Sequence, residues 1–211
     1  MAAQQGRHAP FCSSINHCFL PYYVQMPGRI HNVLLERAFD QYGFVTADDA
    51  QALDIDPQRL VDMERRGTLE RVARGLYRFK AVPHGDRDQL MEAVLWPRRT
   101  RGVLTHDTAL DLHGLCDINP AKIHITVPGG YRINRDIPTA YSIHYRDLAE
   151  EDSAVLEGLP TITPRRAILD AIETHVDPKL LEQAIDTARR RGLVRGKDLS
   201  ALEAQAGRSG T

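Results

Sequence analysis

The sequence predicts a mixed α/β (α+β) fold in two parts: a small helical unit with a hairpin, then a mixed sheet that ends in helices. Three observations carry this. Residues 29–79 read as helix, short helix, helix, hairpin. Short apolar runs of strand length recur between residues 102 and 163. After them come helices opened by Thr163-Pro164 and Asp177-Pro178, each pair a cap followed by proline at the first helical position.

Residues 29–42 place Ile30, Val33, Leu34, Ala38 and Phe39 on one predicted helical face, and Gly43 stops the helix. Phe44 and Val45 turn the chain back toward the core. Thr46 caps a short helix over 47–53, with Asp48 and Asp49 in its first turn. Asp56 caps a third helix, Pro57 opens it and Gly67 follows it; Leu60 and Met63 face inward, leaving Gln58, Arg59, Asp62, Arg65 and Arg66 outside. Residues 69–72 and 76–79 make two short strands about an Ala73-Arg74-Gly75 turn. This order is that of a winged helix-turn-helix, predicted over 26–82, with a linker at Pro83-His84-Gly85.

The second unit, 86–211, opens with an amphipathic helix over 86–96. Strands are expected at 102–104, 123–127, 141–145 and 159–163, with a helix from Thr105 to Gly114 and three closing helices, the last near 197–204. Residues 1–25 lack either periodicity. They read as a flexible arm, or natural translation begins at Met26. Cys12, His17 and Cys18 form no paired CxxC, so the segment is read as a tail and not as a zinc site.

Composition bounds the function. The 211 residues are 42% hydrophobic and 26% charged, enough for a packed core. Three cysteines, a sparse odd number, fit a reducing compartment, and no apolar run is long enough for a membrane span or a signal peptide. A cytoplasmic protein is expected, with no membrane partner. The net charge is -1, so a nucleic-acid role must rest on local charge. From Asp56 to Lys80 seven arginines and lysines face four carboxylates, a local excess of three positive charges. They fall on the two elements this motif uses. Gln58 and Arg59 open the helix that enters a major groove, where glutamine can pair with adenine and arginine with guanine. Arg65 and Arg66 sit at its far end, and Arg71, Arg74 and Arg78 on the wing, suited to phosphates or a minor groove. Thr46 completes the expected DNA-contact set.

His106, His113, His124 and His144 could serve as catalytic groups but read as structural, since His124 alternates in a strand and His106 follows a helix cap. No HExxH, P-loop, nucleophile elbow or GxGxxG occurs. Cys116 reads as a small buried hydrophobe. The expectation is a non-enzyme without metal or cofactor. A small nucleic-acid-processing enzyme using the histidines, and an adaptor whose winged helix binds protein, are the alternatives.

Several segments go further: Gly102-Val-Leu-Thr-His-Asp-Thr-Ala-Leu-Asp-Leu-His-Gly-Leu115, Ile123-His-Ile-Thr-Val-Pro128, and Leu159-Pro-Thr-Ile-Thr-Pro-Arg-Arg-Ala-Ile-Leu-Asp170 followed by Arg189-Arg-Arg-Gly-Leu193. With Tyr42-Gly-Phe-Val-Thr46 and Arg74-Gly-Leu-Tyr77 they resemble, over residues 29–205, the AbiEi family of antitoxins. The resemblance implies a winged helix-turn-helix joined to an antitoxin domain. It implies a neighbouring nucleotidyltransferase-like toxin that the protein counteracts. It also implies repression of its own promoter through inverted repeats, with two copies on one operator. The basic residues Arg165, Arg166, Arg189, Arg190 and Arg191 are the candidates for opposing the toxin, set against a plain solvated face.

Overall fold

The structure is a computed structural model describing residues 28–209. The predicted arm over 1–25, and Met26, lie outside the described residues. The first unit runs α1 (Arg29–Phe39), β1 (Phe44–Thr46), α2 (Ala47–Ala52), α3 (Gln58–Arg65), β2 (Leu69–Ala73) and β3 (Leu76–Phe79). The strands form an antiparallel sheet in the order β1-β3-β2. That is the winged helix-turn-helix arrangement, with the hairpin as wing.

The inward face of α1 differs from the expected one. His31, Leu34, Leu35 and Ala38 are buried, whereas Ile30 and Phe39 are exposed. The sequence pattern was wider than one stripe. His31 lies on the buried face, its ring edge-on to Phe79 with 5.5 Å between centroids. Gly43 ends the following turn with φ 90°, its N–H donating to the Ala38 carbonyl at 2.8 Å. A Cβ there would meet Val82 at 3.0 Å, so both the turn and the packing require glycine.

The second unit comprises α4 (Asp88–Leu95), β4 (Val103–Leu104), α5 (His106–Leu112), β5 (Ile123–Val127), β6 (Tyr141–Tyr145), β7 (Ser153–Leu156), β8 (Leu159–Ile162), α6 (Pro164–Glu173), α7 (Pro178–Arg190) and α8 (Gly196–Ser209). Its mixed sheet has the order β6-β5-β4-β8-β7. The β5–β6 and β4–β8 pairs are parallel, and β4–β5 and β7–β8 antiparallel. Strand β7 was not anticipated. It pairs through a two-residue turn, Glu157-Gly158, in which both residues have positive φ. Such a turn usually advertises itself with asparagine or aspartate before the glycine, and Val155 points to solvent.

Thr163 accepts from the Arg166 N–H and Asp177 from the Lys179 N–H, so the caps of α6 and α7 form as expected. One apolar core lies among α5–α8, around Leu110, Ile168, Ile185 and Leu202. A second lies inside the winged helix, around Leu34, Leu60, Leu69 and Phe79. A third joins the two sheets: Phe44 and Leu76 of the wing sheet pack with Met91, Val94, Leu104, Ile125 and Leu159.

Asp170 pins α6 to the end of β6. Its fully buried carboxylate accepts two hydrogen bonds from Arg146, both at 2.9 Å, and two from Arg166, at 2.8 and 2.6 Å. Burial alone would raise its pKa, but the bonds from Arg146 and Arg166 outweigh it and hold the carboxyl below the usual range. Asp170→Ala is expected to cost about 3 kcal/mol by removing the buried acceptor that Arg146 and Arg166 share and leaving them only the exposed Glu173, read by urea unfolding. Because the folded pKa is lowered, this stabilisation is complete above the unfolded value of about 3.9 and is lost as pH falls through the folded one. The variant should therefore have a flatter acid limb. An equal loss in the exposed Glu173→Ala control would contradict this role for Asp170.

Candidate nucleic-acid interface

Helix α3 presents the surface expected of it. Asp56 accepts from the Gln58 N–H at 2.9 Å and starts the helix, Leu60 and Met63 are buried beneath it, and Gln58, Arg59, Arg65 and Arg66 are exposed. Arg65 lies 3.9 Å from Asp62 with most of its side chain in solvent. At that distance the pair is worth about 0–1 kcal/mol, which leaves Arg65 available to a stronger anion.

On the wing, Arg71 and Arg74 are exposed and a register shift between Arg71 and Ala73 bends β2. Gly75, with φ 76°, completes the tip and its carbonyl accepts from the Ala47 N–H at 2.9 Å. Arg78 departs from expectation. Its side chain is 2% exposed, donating to Asp88 at 3.0 Å and to the Pro83 carbonyl at 2.8 Å. The strand alternation turns it toward α4, so it anchors the wing sheet and is not a DNA contact.

Thr46 is also corrected. Its hydroxyl accepts from the Asp49 N–H at 2.9 Å and donates its one proton to the Asp49 carboxylate at 2.7 Å. Its backbone N–H donates to the same carboxylate, closing a capping box. No donor remains for a phosphate. Asp49 also accepts from Arg37 at 2.9 Å, Gln41 at 3.0 Å and Arg101 at 3.3 Å, while Arg101 bonds the Gln41 side chain. Burial would raise this carboxyl's pKa, yet the bonds from Thr46, Gln41 and Arg37 hold it below the ordinary value.

A basic cleft beside the wing was missed in the sequence. About 270 Å³ in volume, it is lined by Arg74, Arg98, Arg99, Arg132 and Arg135 together with Trp96 and Tyr131, and no carboxylate is among its lining residues. Arg135 lies over the Trp96 ring, 3.9 Å from its centroid. Burial, and the neighbouring positive charges of Arg98 and Arg74, push the Arg135 pKa down. Tyr131 donates to the Arg98 carbonyl at 2.6 Å and ties the two loops together. The available signal was a pair of arginine-bearing loops, 97–101 and 131–135, which are far apart in sequence and carry no periodicity.

The arginines proposed to oppose the toxin do not make one free basic face. Arg166 bonds Asp170 and Glu173, and Arg165 pairs with Asp152 and Asp198. Arg189 pairs with Asp186 and Glu203. Arg191 donates to the carbonyls of His113 and Gly114. Arg190 is exposed and bonds only the neighbouring Thr187 hydroxyl at 3.2 Å. The set is mostly scaffold, and a local run of basic residues in the sequence could not reveal its acidic partners.

Residues 32–80 match the family described as "Transcriptional regulator, AbiEi antitoxin". The resemblance read from the motifs is thus matched over residues 32–80, the winged helix. Among solved structures, the RV2827C protein of Mycobacterium tuberculosis is similar, with 16% identity over 87% of this chain and 78% of that one, TM-score 0.47. No curated protein matches the sequence. Among the described residues, no helix is long and apolar enough to cross a membrane.

Arg78→Ala is expected to lower unfolding free energy by about 3 kcal/mol by stranding Asp88. Arg74→Ala should change it by less than about 0.5 kcal/mol. Thermal melts of the two variants check this; an unchanged midpoint for Arg78→Ala would return that residue to the wing surface.

Proposed function

We propose that this chain, with its AbiEi-type winged helix, is an autoregulatory repressor and antitoxin that binds inverted repeats in its own promoter, two copies to an operator. The observation that supports this most is the coincidence of exposed arginines on α3 and the wing with the adjoining arginine-lined cleft, which has no carboxylate among its lining residues. Helix α3 enters the major groove, with Gln58 and Arg59 at base edges and Arg65 and Arg66 at the backbone. Arg71 and Arg74 follow the flanking phosphates, and Arg98, Arg99 and Arg132 extend that contact beyond the hairpin. In this reading residues 26–82 read DNA and 86–211 carry the antitoxin function, in the cytoplasm. The partner is a nucleotidyltransferase-like toxin, as the family resemblance implies. Arg190 is the best-placed of the candidate arginines to meet it, being exposed, with neither a carboxylate partner nor the backbone carbonyls that hold Arg191.

A gel-shift titration against the upstream DNA and a scrambled duplex, at two salt concentrations, tests the DNA arm. Preferential binding of the upstream DNA, weakened by salt, is expected. Arg59→Ala should relax base preference by about 1–3 kcal/mol, while Arg74→Ala or Arg132→Ala weakens all sequences alike and lowers the salt slope by about one. Absence of preference at either salt would favour a protein-binding winged helix instead. The antitoxin arm is tested separately, by rescue of growth when the neighbouring toxin gene is expressed.

A further inference from the structure

Three histidines from three elements meet on one side of the second sheet. His106 is the first residue of α5, His124 lies on β5 and His144 on β6. In the parallel β5–β6 register Thr126 pairs with His144 and His124 with Ser142, so alternation puts both histidines on the same face. His124 Nδ1 is 3.1 Å from His144 Nε2. The His106 and His144 rings stack with centroids 3.8 Å apart. One ring nitrogen from each residue lies within 4.8 Å of the other two.

Packing alone accounts poorly for this cluster. An apolar layer would fill the space without three imidazoles. His106 also carries a left-handed backbone, φ 52°, at a position that is not glycine. Such backbone is retained where surrounding structure over-determines it, commonly at ligand sites, and it belongs to the residue that brings the third ring to the other two. The three rings line, with Asp107, Ile118, Thr174, Val176, Asp177 and Leu180, a cleft of about 350 Å³. Asp170 lies 3.7 Å from His106 Nδ1, and Thr105 Oγ1 lies 2.9 Å from it. These are the neighbours that orient a ligating imidazole.

We propose that His106, His124 and His144 form a binding site for one divalent cation of the zinc class, with a fourth position facing this cleft. Three imidazole nitrogens and one open position are a known zinc donor set, with Zn–N distances of about 2.0–2.1 Å. Tetrahedral geometry then sets ligand nitrogens about 3.4 Å apart. The His124–His144 pair already has nearly that spacing, and turning the stacked His106 ring brings in the third nitrogen. Burial keeps all three pKa values low, with the neighbouring imidazoles adding to it at His106 and His144, the latter at about 4, so the neutral form that a metal needs is favoured. Asp107 and Asp177 at the cleft supply compensating negative charge. The proposed site departs from the expectation of a chain without metal, and it is independent of the DNA reading.

Full-length protein, stripped with chelator, should bind one equivalent of Zn²⁺ in competition with a chromophoric chelator. With Co²⁺ it should show the intense visible absorption of four-coordinate cobalt. His106→Asn, His124→Asn and His144→Asn should each weaken binding at least tenfold; asparagine tolerates the left-handed backbone at residue 106. The combined Cys12→Ser, His17→Asn, Cys18→Ser variant should bind as the parent does. Zn²⁺ should raise the melting temperature of the parent and not of the cluster variants. In the unaltered protein, Zn²⁺ should protect these three histidines from acylation, read by mass spectrometry, which requires no variant to fold. No binding, binding indifferent to the cluster variants, loss in the Cys12 combination alone, or unprotected histidines would each overturn the site.

Discussion

The carboxylate of Asp49 is the knot on which the arrangement of the first unit depends. It receives α1 through Arg37, the turn after it through Gln41, the start of α2 through Thr46, and the second unit through Arg101. One buried anion therefore fixes where the helix pair begins relative to the strand that carries it. It also fixes where the loop of Arg98 and Arg99 lies. The charge is costly to bury by itself and becomes favourable because several donors converge on it. Alanine here would remove the side-chain half of the capping box and leave two guanidinium groups without their shared acceptor.

Much of the fold was legible because local chemistry announced it. Thr46 with Asp49, Asp56 with Pro57, Thr163 with Pro164 and Asp177 with Pro178 mark helix starts by mechanisms that need no tertiary context. Gly43 and Gly75 mark turns for the same reason. What could not be read depended on partners distant in the chain. Arg78 looked like a wing residue until Asp88 and Pro83 claimed it. Phe39 looked like core, but it is exposed and the buried face of α1 carries His31 instead. The Glu157-Gly158 turn carries little of the usual hairpin signal, so β7 stayed hidden.

The arginines divide along a physical line. Those of the second unit's helices mostly face acidic partners: Arg165, Arg166 and Arg189 each have carboxylates within ion-pair distance. Those of α3, the wing tip and the neighbouring loops mostly do not. A chain with a net charge of -1 can thus carry a concentrated positive field on one region. Counting charges along the sequence found part of that field, in α3 and the wing. The rest required the fold to bring residues 98–99 and 132–135 beside Arg74.

The apolar core shared by Phe44 and Leu76 with Met91, Leu104 and Ile125 bears on how the molecule chooses its ligand. Two DNA-contacting modules on a flexible tether gain avidity over a range of separations, because the linker samples them. Here the wing and the second sheet are joined by packed side chains, and no tether entropy is lost on binding. In the proposed DNA complex the second contact would then act at high effective concentration for a backbone whose curvature matches, and would contribute nothing for one that does not. The protein's selectivity would extend to the shape of the duplex, including base pairs that no side chain touches.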